Sequence, residues 1–322
     1  MSGTRLVAVT GAGGFIGRTL VAELLRRGYA VRAITRRVRG ELAAHASLEL
    51  RAIDDLTRAP WGELLPGCES LVHLAAIAHQ GRPRDAAAAA RVHAVNVEAV
   101  GELARAAQAA GLRRMVLVSS IGVLGASSGP RGFDERSLPS PQDDYARSKL
   151  AAENAARAVA GSSAFEVSIV RPPLVFGPEA PGNFGQLVRL IRRGVPRPLA
   201  AIDNRRSLVS LWNLCDFLVA ALEHPAAAGA PLLVADSGTL STPQLVRSCA
   251  AALGVPARLW RVPPASLRML LGALGRRADF ERLCASLTVD DQATRARLSW
   301  QPALTLAEGL TRALAPALTV PV

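Results

Sequence analysis

Up to about residue 170 the chain alternates short apolar runs with stretches whose apolar residues recur at helical spacing. Residues 6–10, 31–35, 50–54, 71–75, 115–119 and 167–170 read as buried strands. Residues 16–27, 86–110 and 145–160 read as amphipathic or alanine-rich helices, and Gly28 and Gly111 stand where helix-ending glycines belong. Strands alternating with helices predict an α/β fold, a doubly wound parallel sheet covered on both faces. After Arg171 the pattern loosens. Pro172, Pro173, Pro178 and Pro181 punctuate a loop. It leads to a helix over 184–193, an apolar segment over 207–222, a strand over 232–235 and a helix opened by Ser241, Thr242 and Pro243. This tail is too short for a second unit of the same kind. The expected organisation is a dinucleotide-binding domain over 1–173, with 205–228 returning to it. A smaller C-terminal substrate-binding cap takes 174–204 and 229–322.

Composition narrows the class. Half of the 322 residues are apolar, enough for a sizeable core, which excludes a disordered chain. The longest apolar runs have strand length, so no membrane span is expected, and the glycines from Gly11 to Gly17 interrupt anything resembling a signal peptide. A cytoplasmic location follows as the expectation. Cys68, Cys215, Cys249 and Cys284 lie far apart, without metal-ligand spacing, and read as thiols in a reducing compartment; no metal site is expected. The net charge of +12 comes from scattered arginines, with no basic tract interleaved with aromatics. That pattern points to a small polyanion rather than a nucleic acid.

Gly11-Ala12-Gly13-Gly14-Phe15-Ile16-Gly17 joins the first strand to the first helix. Gly11 permits the tight turn, Gly14 removes a side chain where a pyrophosphate approaches the backbone, and Gly17 lets the helix pack close to the sheet. The phosphates then meet unpaired N–H groups at the positive end of the helix. At the end of the second strand, where an NAD site places Asp or Glu against the ribose hydroxyls, the sequence reads Thr35-Arg36-Arg37. A guanidinium can fork onto a 2′-phosphate that a carboxylate would repel, so NADP(H) is the expected cofactor and NAD(H) stands second. Arg36 is the first choice for the phosphate and Arg37 the second; two solvated arginines at a helix start are the plainer alternative. Asp55 and Leu56 stand where an adenine edge could meet a carboxylate and a backbone amide.

Of the 38 cationic side chains only Lys149 is a lysine, and it follows one of only two tyrosines, Tyr145, by four residues. One helical turn puts both on one face. A nearby ammonium, with a positively charged nicotinamide, favours phenolate and should pull the tyrosine toward neutrality. The same ammonium can donate to the nicotinamide ribose. Ser120, closing the fifth strand, can donate to the substrate oxygen that Tyr145 serves.

Thr10-Gly11-x-x-Gly14-x-x-Gly17, His73-Leu74-Ala75-Ala76, Asn96, Ser119-Ser120, Tyr145-x-x-x-Lys149 and Arg171-Pro172-Pro173 together resemble the extended short-chain dehydrogenase/reductase family, with its Rossmann fold, across nearly the whole chain. Within it the chain looks most like the nucleotide-sugar epimerase/dehydratase branch. The resemblance implies Tyr145 as acid/base, Lys149 as its electrostatic partner, Ser120 as oxyanion donor and Asn96 as a polar anchor on the cofactor side. It also implies cofactor contacts from Leu74, Ala75, Ala76, Ser119 and Pro172. A nucleotide-sugar substrate is implied as well, and homodimers pairing through the 86–110 and 145–160 helices.

Departures from the branch pattern select a reaction. The 4,6-dehydratases carry Asp-Glu after the catalytic hydroxyl residue, whereas this chain has Ile121-Gly122 and so lacks the acid and base for elimination. The 4-epimerases hold NAD through the carboxylate missing here. Segments 204–209 and 281–287 look like those of reductases that convert a UDP-linked 4-keto-6-deoxy-N-acetylhexosamine to UDP-N-acetylquinovosamine, for surface polysaccharides. By position Asn183 and Arg206 match residues at the sugar-nucleotide diphosphate, and Arg282 is a further phosphate candidate. His79 is either a sugar contact or an ordinary loop histidine. The expectation is an NADPH-dependent 4-keto reductase, with a UDP-hexose 4-epimerase second and a non-catalytic NADP(H)-binding regulator as the reading from another class.

Overall fold

The computed structural model describes residues 5–36, 45–78, 85–161, 164–273, 275, 280 and 283–315. Arg37, His79 and Arg282, all named above as candidates, lie outside the described residues.

The main sheet is parallel, in the order β3-β2-β1-β4-β5-β6-β9. It is formed by β1 (Leu6–Thr10), β2 (Ala30–Thr35), β3 (Leu48–Ala52), β4 (Ser70–His73), β5 (Arg114–Val118), β6 (Glu166–Arg171) and β9 (Leu232–Leu233). The order reverses between β1 and β4, and at such a switch the loops leaving the carboxyl ends part to form a crevice. Most of these strands are continuously buried, as their unbroken apolar runs require. The expected buried strand at 50–54 is the exception. It shifts to Leu48–Ala52 and is largely exposed, because it is the edge strand and pairs with β2 alone.

One face of the sheet is covered by α1 (Phe15–Arg26) and α7 (Leu211–Glu223), whose Leu20, Leu24, Phe217 and Leu218 share a core with Val7, Val9 and Val116. This packing puts the returning segment 205–228 against the sheet. The other face carries α4 (Ala99–Ala109) and α5 (Asp144–Ala160). Their Ala104, Ala107, Ala152 and Ala156 are fully buried against Met115, Leu117 and Ile169, and methyl-sized side chains bring both helices close to the strands. A short α2 (Trp61–Leu64) caps the same core.

Strand β9, expected in the cap, instead extends the main sheet by pairing with β6 through Val170–Leu232 and Arg171–Leu233. Above the carboxyl ends, β7 (Leu174–Phe176) and β8 (Leu208–Ser210) form a separate parallel pair. Around it gather α6 (Gly182–Arg192), α8 (Thr242–Ala252) and the Leu306–Leu314 helix, through Phe176, Phe184, Val246 and Leu310. Helix α8 opens as expected at Ser241, with a full capping box to Gln244. Helix α9 (Pro264–Ala273) lies on a satellite cluster of Leu199, Ile202, Leu267 and Phe280.

Candidate active site

The glycine turn lies at the mouth of the β1/β4 crevice. Gly11 has φ +71°, and a Cβ there would stand 2.9 Å from the amide nitrogen of Ala75. The turn and the 74–78 loop after β4 are therefore in backbone contact, which only a glycine allows. At Gly17 a Cβ would fall 2.2 Å from the Gly11 carbonyl oxygen, so the first turn of α1 presses directly on the backbone of the glycine turn. Gly14 caps α1 with no side-chain hydrogen bond. Its bare backbone leaves the first-turn N–H groups of α1 to an outside acceptor, which is the chemistry of a dinucleotide pyrophosphate. Gly13, Phe15 and Ile16 are partly exposed around this turn, and so are Leu74, Ala75 and Ala76 across from it. Arg36 is exposed immediately after β2.

Asp55 sits just beyond β3, where its carboxylate accepts from the Thr57 amide (2.9 Å) and from Arg91 (2.9 Å). The Arg91 guanidinium holds that carboxyl well below the usual range. Leu56 buries its side chain, so only its backbone is left for an adenine.

Helix α5 carries the catalytic candidates on one face. Asp143 caps it, accepting from the Ala146 amide at 2.8 Å, and Tyr145, Lys149 and Glu153 follow on successive turns. Tyr145 is half-buried, and burial together with Asp143 pushes its phenol up to about 12. The lowering expected from Lys149 is thus not a property of the chain by itself, where burial and Asp143 both act in the opposite direction. Lys149 is buried, which brings its ammonium down to about 8, and Glu153 opposes that fall. Ser120 is half-exposed at the end of β5, its Oγ accepting from the Gly122 amide at 3.1 Å. A Cβ on Gly122 would lie 3.3 Å from the Ser120 Oγ and 3.7 Å from the Ala146 Cβ. This seats Ser120 beside the first turn of α5, near Ala146.

Beneath these groups lies a polar layer that sequence reasoning missed. Glu153 is fully buried and accepts from Arg171 Nε (2.9 Å) and Nη2 (2.6 Å) and from Ser119 Oγ (2.5 Å). Ser119, expected to touch the cofactor, has its hydroxyl committed to this ion pair, and only its backbone remains for that role. Pro172 is buried, its carbonyl accepting from the Ile121 amide at 2.9 Å, which fixes the loop that bears Ser120. The expected helix over 86–110 is really α3 (Ala86–His93), a π-helical turn over Ala94–Glu98, and α4. The wider turn holds Asn96, which is buried and clamps Ile77 through both its N–H (2.8 Å) and its C=O (3.0 Å). Its Nδ2 also donates to Ser148 Oγ (3.1 Å), which donates to the Tyr145 carbonyl (2.8 Å). Asn96 thus ties the crevice loop to the catalytic helix. On the sheet side Thr10 Oγ1 and His73 Nδ1 are 2.7 Å apart. Burial, with Lys149 nearby, takes His73 down to about 3, so it is neutral.

The cap candidates are less gathered. Asn183 is exposed on the first turn of α6. Arg206 is half-buried, with its backbone bridged to Leu240 and Leu287 and its Nε reaching the Ala285 carbonyl at 3.4 Å. Burial lowers its guanidinium, and Cys284 opposes the shift.

The profile of the NAD dependent epimerase/dehydratase family matches residues 7–234. The UDP-glucose 4-epimerase of Vibrio cholerae is 36% identical over 94% of this chain and 92% of its own length. A 4-hydroxy-2-methyl-3-oxo-4-farnesyl-3,4-dihydroquinoline-1-oxide ketoreductase of Stigmatella aurantiaca is 30% identical over 94% of this chain and 93% of its own. Among solved structures, MoeE5 in complex with UDP-glucuronic acid and NAD superposes with a TM-score of 0.78. It is 27% identical, and the match covers 96% of this chain and 97% of that one.

Proposed function

The chain belongs to the NAD dependent epimerase/dehydratase family, as an oxidoreductase of the extended short-chain type, and we propose that it reduces the 4-keto group of a UDP-linked 6-deoxy-(N-acetyl)hexosamine with NADPH. The observation that carries this reading is Arg36. It stands exposed at the carboxyl end of β2, and no carboxylate lies among Ala33, Ile34, Thr35 and Arg36. A forked guanidinium there suits a 2′-phosphate, and a phosphorylated cofactor suits net reduction from the cell's reduced pool.

With a dinucleotide held at the glycine turn by its pyrophosphate, the nicotinamide would supply the hydride. The chain's own residues do the rest. The backbone of Gly13 to Gly17 receives the pyrophosphate, and Asp55, Leu56, Leu74 to Ala76 and Pro172 shape the walls of the crevice. The Tyr145 hydroxyl gives its proton to the C4 oxygen, for which a protonated phenol held near 12 is the competent form. Ser120 donates to the same oxygen, and Lys149, charged below about 8, stabilises negative charge on both. Asn183 and Arg206 stand on the cap side for the diphosphate. Two copies would pair through the 86–110 and 145–160 helices. A groove of about 520 Å3 lined by Ala89, Val92, His93, Asp144 and Arg147, and an α3 without a buried residue, support that pairing.

A second reading, a UDP-hexose 4-epimerase, is favoured by the 36% identity to the Vibrio cholerae enzyme. The two separate in one experiment. The pure protein is given UDP-glucose or UDP-N-acetylglucosamine without added cofactor, and, separately, the 4-keto product of a UDP-N-acetylglucosamine 4,6-dehydratase with NADPH or NADH. The reductase consumes NADPH on the keto sugar and forms no galacto isomer; appearance of that isomer without added cofactor overturns the reading.

A further inference from the structure

Seven large hydrophobic side chains are exposed among the described residues, and five of them fall on two stretches of the cap: Leu190 and Val195, and Trp260, Met269 and Leu270. The two stretches are one surface region. The Arg197 amide donates to the Arg258 carbonyl (2.9 Å), Trp260 donates back to Arg197 (3.0 Å), and Ala200 donates to Trp260 (3.1 Å). Such clustering is not the scatter of single apolar residues that every surface carries.

Helix α9 makes the point sharper. Leu267 is its one buried side chain, and Leu271, one turn on, is half-buried toward the same cluster. At 100° per residue the opposite side presents Ala265, Met269, Gly272 and Ala273, with no charge. Met269 is 75% exposed and Leu270 58%. A helix apolar on its outer side as well as its inner side is normally covered. Trp260, 58% exposed, stands four residues before it.

Among the described residues, the charges that these two stretches themselves expose are arginines, and an exposed Asp203 follows the first stretch directly. Arg192, Arg193, Arg258, Arg261 and Arg268 are exposed. A nucleic acid would answer the arginines and leave Met269 and Leu270 in water. A bilayer answers both, since its phosphates match the guanidinium groups and its interface accepts Trp, Met and Leu.

We propose that this face of the cap, centred on α9, docks the protein peripherally on an anionic phospholipid surface. Among the described residues no helix is long and apolar enough to cross a membrane, so the contact is a shallow one. Met269 and Leu270 enter the interface, Trp260 sits at headgroup level, and the arginines hold the phosphates.

The full-length protein is sedimented with vesicles of phosphatidylglycerol and phosphatidylcholine, and with phosphatidylcholine alone. It pellets with the first and not the second, and raised salt releases it, because exposed charges are then screened. M269E/L270E lowers partitioning about tenfold while leaving the melting temperature and turnover unchanged, as expected when only the surface that meets lipid is altered. A blue shift in tryptophan emission accompanies binding, is absent in W260F and persists in W212F, since Trp61 and Trp300 are buried and the half-buried Trp212 packs on the cap core under Arg312. Equal sedimentation with both vesicles, or equal binding by M269E/L270E, overturns the proposal. So does a result in which M269E/L270E abolishes self-association in sedimentation velocity while no vesicle is bound, because a second copy would then be what covers this face.

Discussion

The layer under the β1/β4 crevice and the outer cap treat buried charge in opposite ways. Under the crevice, Glu153 has three donors at 2.5–2.9 Å, and Arg171 gives it two of its nitrogens. In the cap Arg197 is also buried, yet its Nε and Nη2 find no acceptor among the described residues. Burial alone lowers its guanidinium. A satisfied network fixes a geometry in advance of any ligand, which a proton transfer at a defined oxygen requires. An unsatisfied cation adds cost to the cap and fixes nothing in it. The protein is preorganised under the crevice, where chemistry is proposed, and leaves Arg197 in the cap without that kind of fixation among the described residues.

The sharpest break of the preorganised side is at the proton itself. Tyr145→Phe keeps the shape of the side chain and removes the hydroxyl, so keto-sugar reduction falls about 10³-fold. NADPH affinity by fluorescence titration stays nearly the same. Turnover comparable to the unaltered enzyme would remove Tyr145 from the reaction. Glu153→Gln comes next. It leaves Arg171 buried without its counter-charge, costing about 3–5 kcal/mol in denaturant unfolding. It also removes the carboxylate that opposes the fall of the Lys149 ammonium. Since reduction needs the ammonium, its rate declines as pH rises through about 8, and in the variant this limb moves to lower pH. A limb that stays in place would make Glu153 a structural group only.

These two residues also show what the sequence could and could not reveal. Tyr145 and Lys149 were legible because a lone lysine one turn after a tyrosine is an uncommon arrangement in a chain with 38 cationic side chains. The glycine turn was legible because steric demands act within seven residues. Glu153 was not, since its partners Ser119 and Arg171 are 34 and 18 residues away and only the parallel pairing of β5 with β6 brings them together. A faint signal existed: a carboxylate one turn beyond Lys149, on the same face of an alanine-rich helix. The π-turn at Asn96 was hidden for a similar reason, as helical spacing does not show an inserted residue that a tertiary clamp stabilises. The apolar run over 232–235 was legible as a strand, but the sheet it joins was not, because β9 pairs with β6 across a long stretch of intervening sequence.

Cofactor choice tests a contact at the rim between the two regions. Arg36→Glu places a carboxylate where the 2′-phosphate would lie. A charge-assisted contact of this kind is lost and repulsion replaces it, so the NADPH-to-NADH ratio of kcat/KM falls about 10- to 100-fold. The ratio of the two cofactors in one variant is the readout, which cancels any general loss. An unchanged ratio would return Arg36 to the solvated role that its exposure also permits.

The smallest effect has an inverted sign, and for that reason it tests the comparison most directly. Arg171→Met and Arg197→Met are the same substitution at two buried positions. The first strips Glu153 of its bidentate partner and lowers the melting temperature. The second removes donors that find no acceptor among the described residues and puts in their place a flexible apolar side chain beside Leu259 and Trp260, the neighbours that the Arg197 backbone pairs with. Relief of an unsatisfied buried cation stabilises by about 1–2 kcal/mol, or about 2–4 °C in a chain of this size. Differential scanning calorimetry of the two variants side by side reads the sign in each. If Arg197→Met also lowers the melting temperature, the guanidinium is held as firmly as that of Arg171, and the cap is as preorganised as the crevice beneath it.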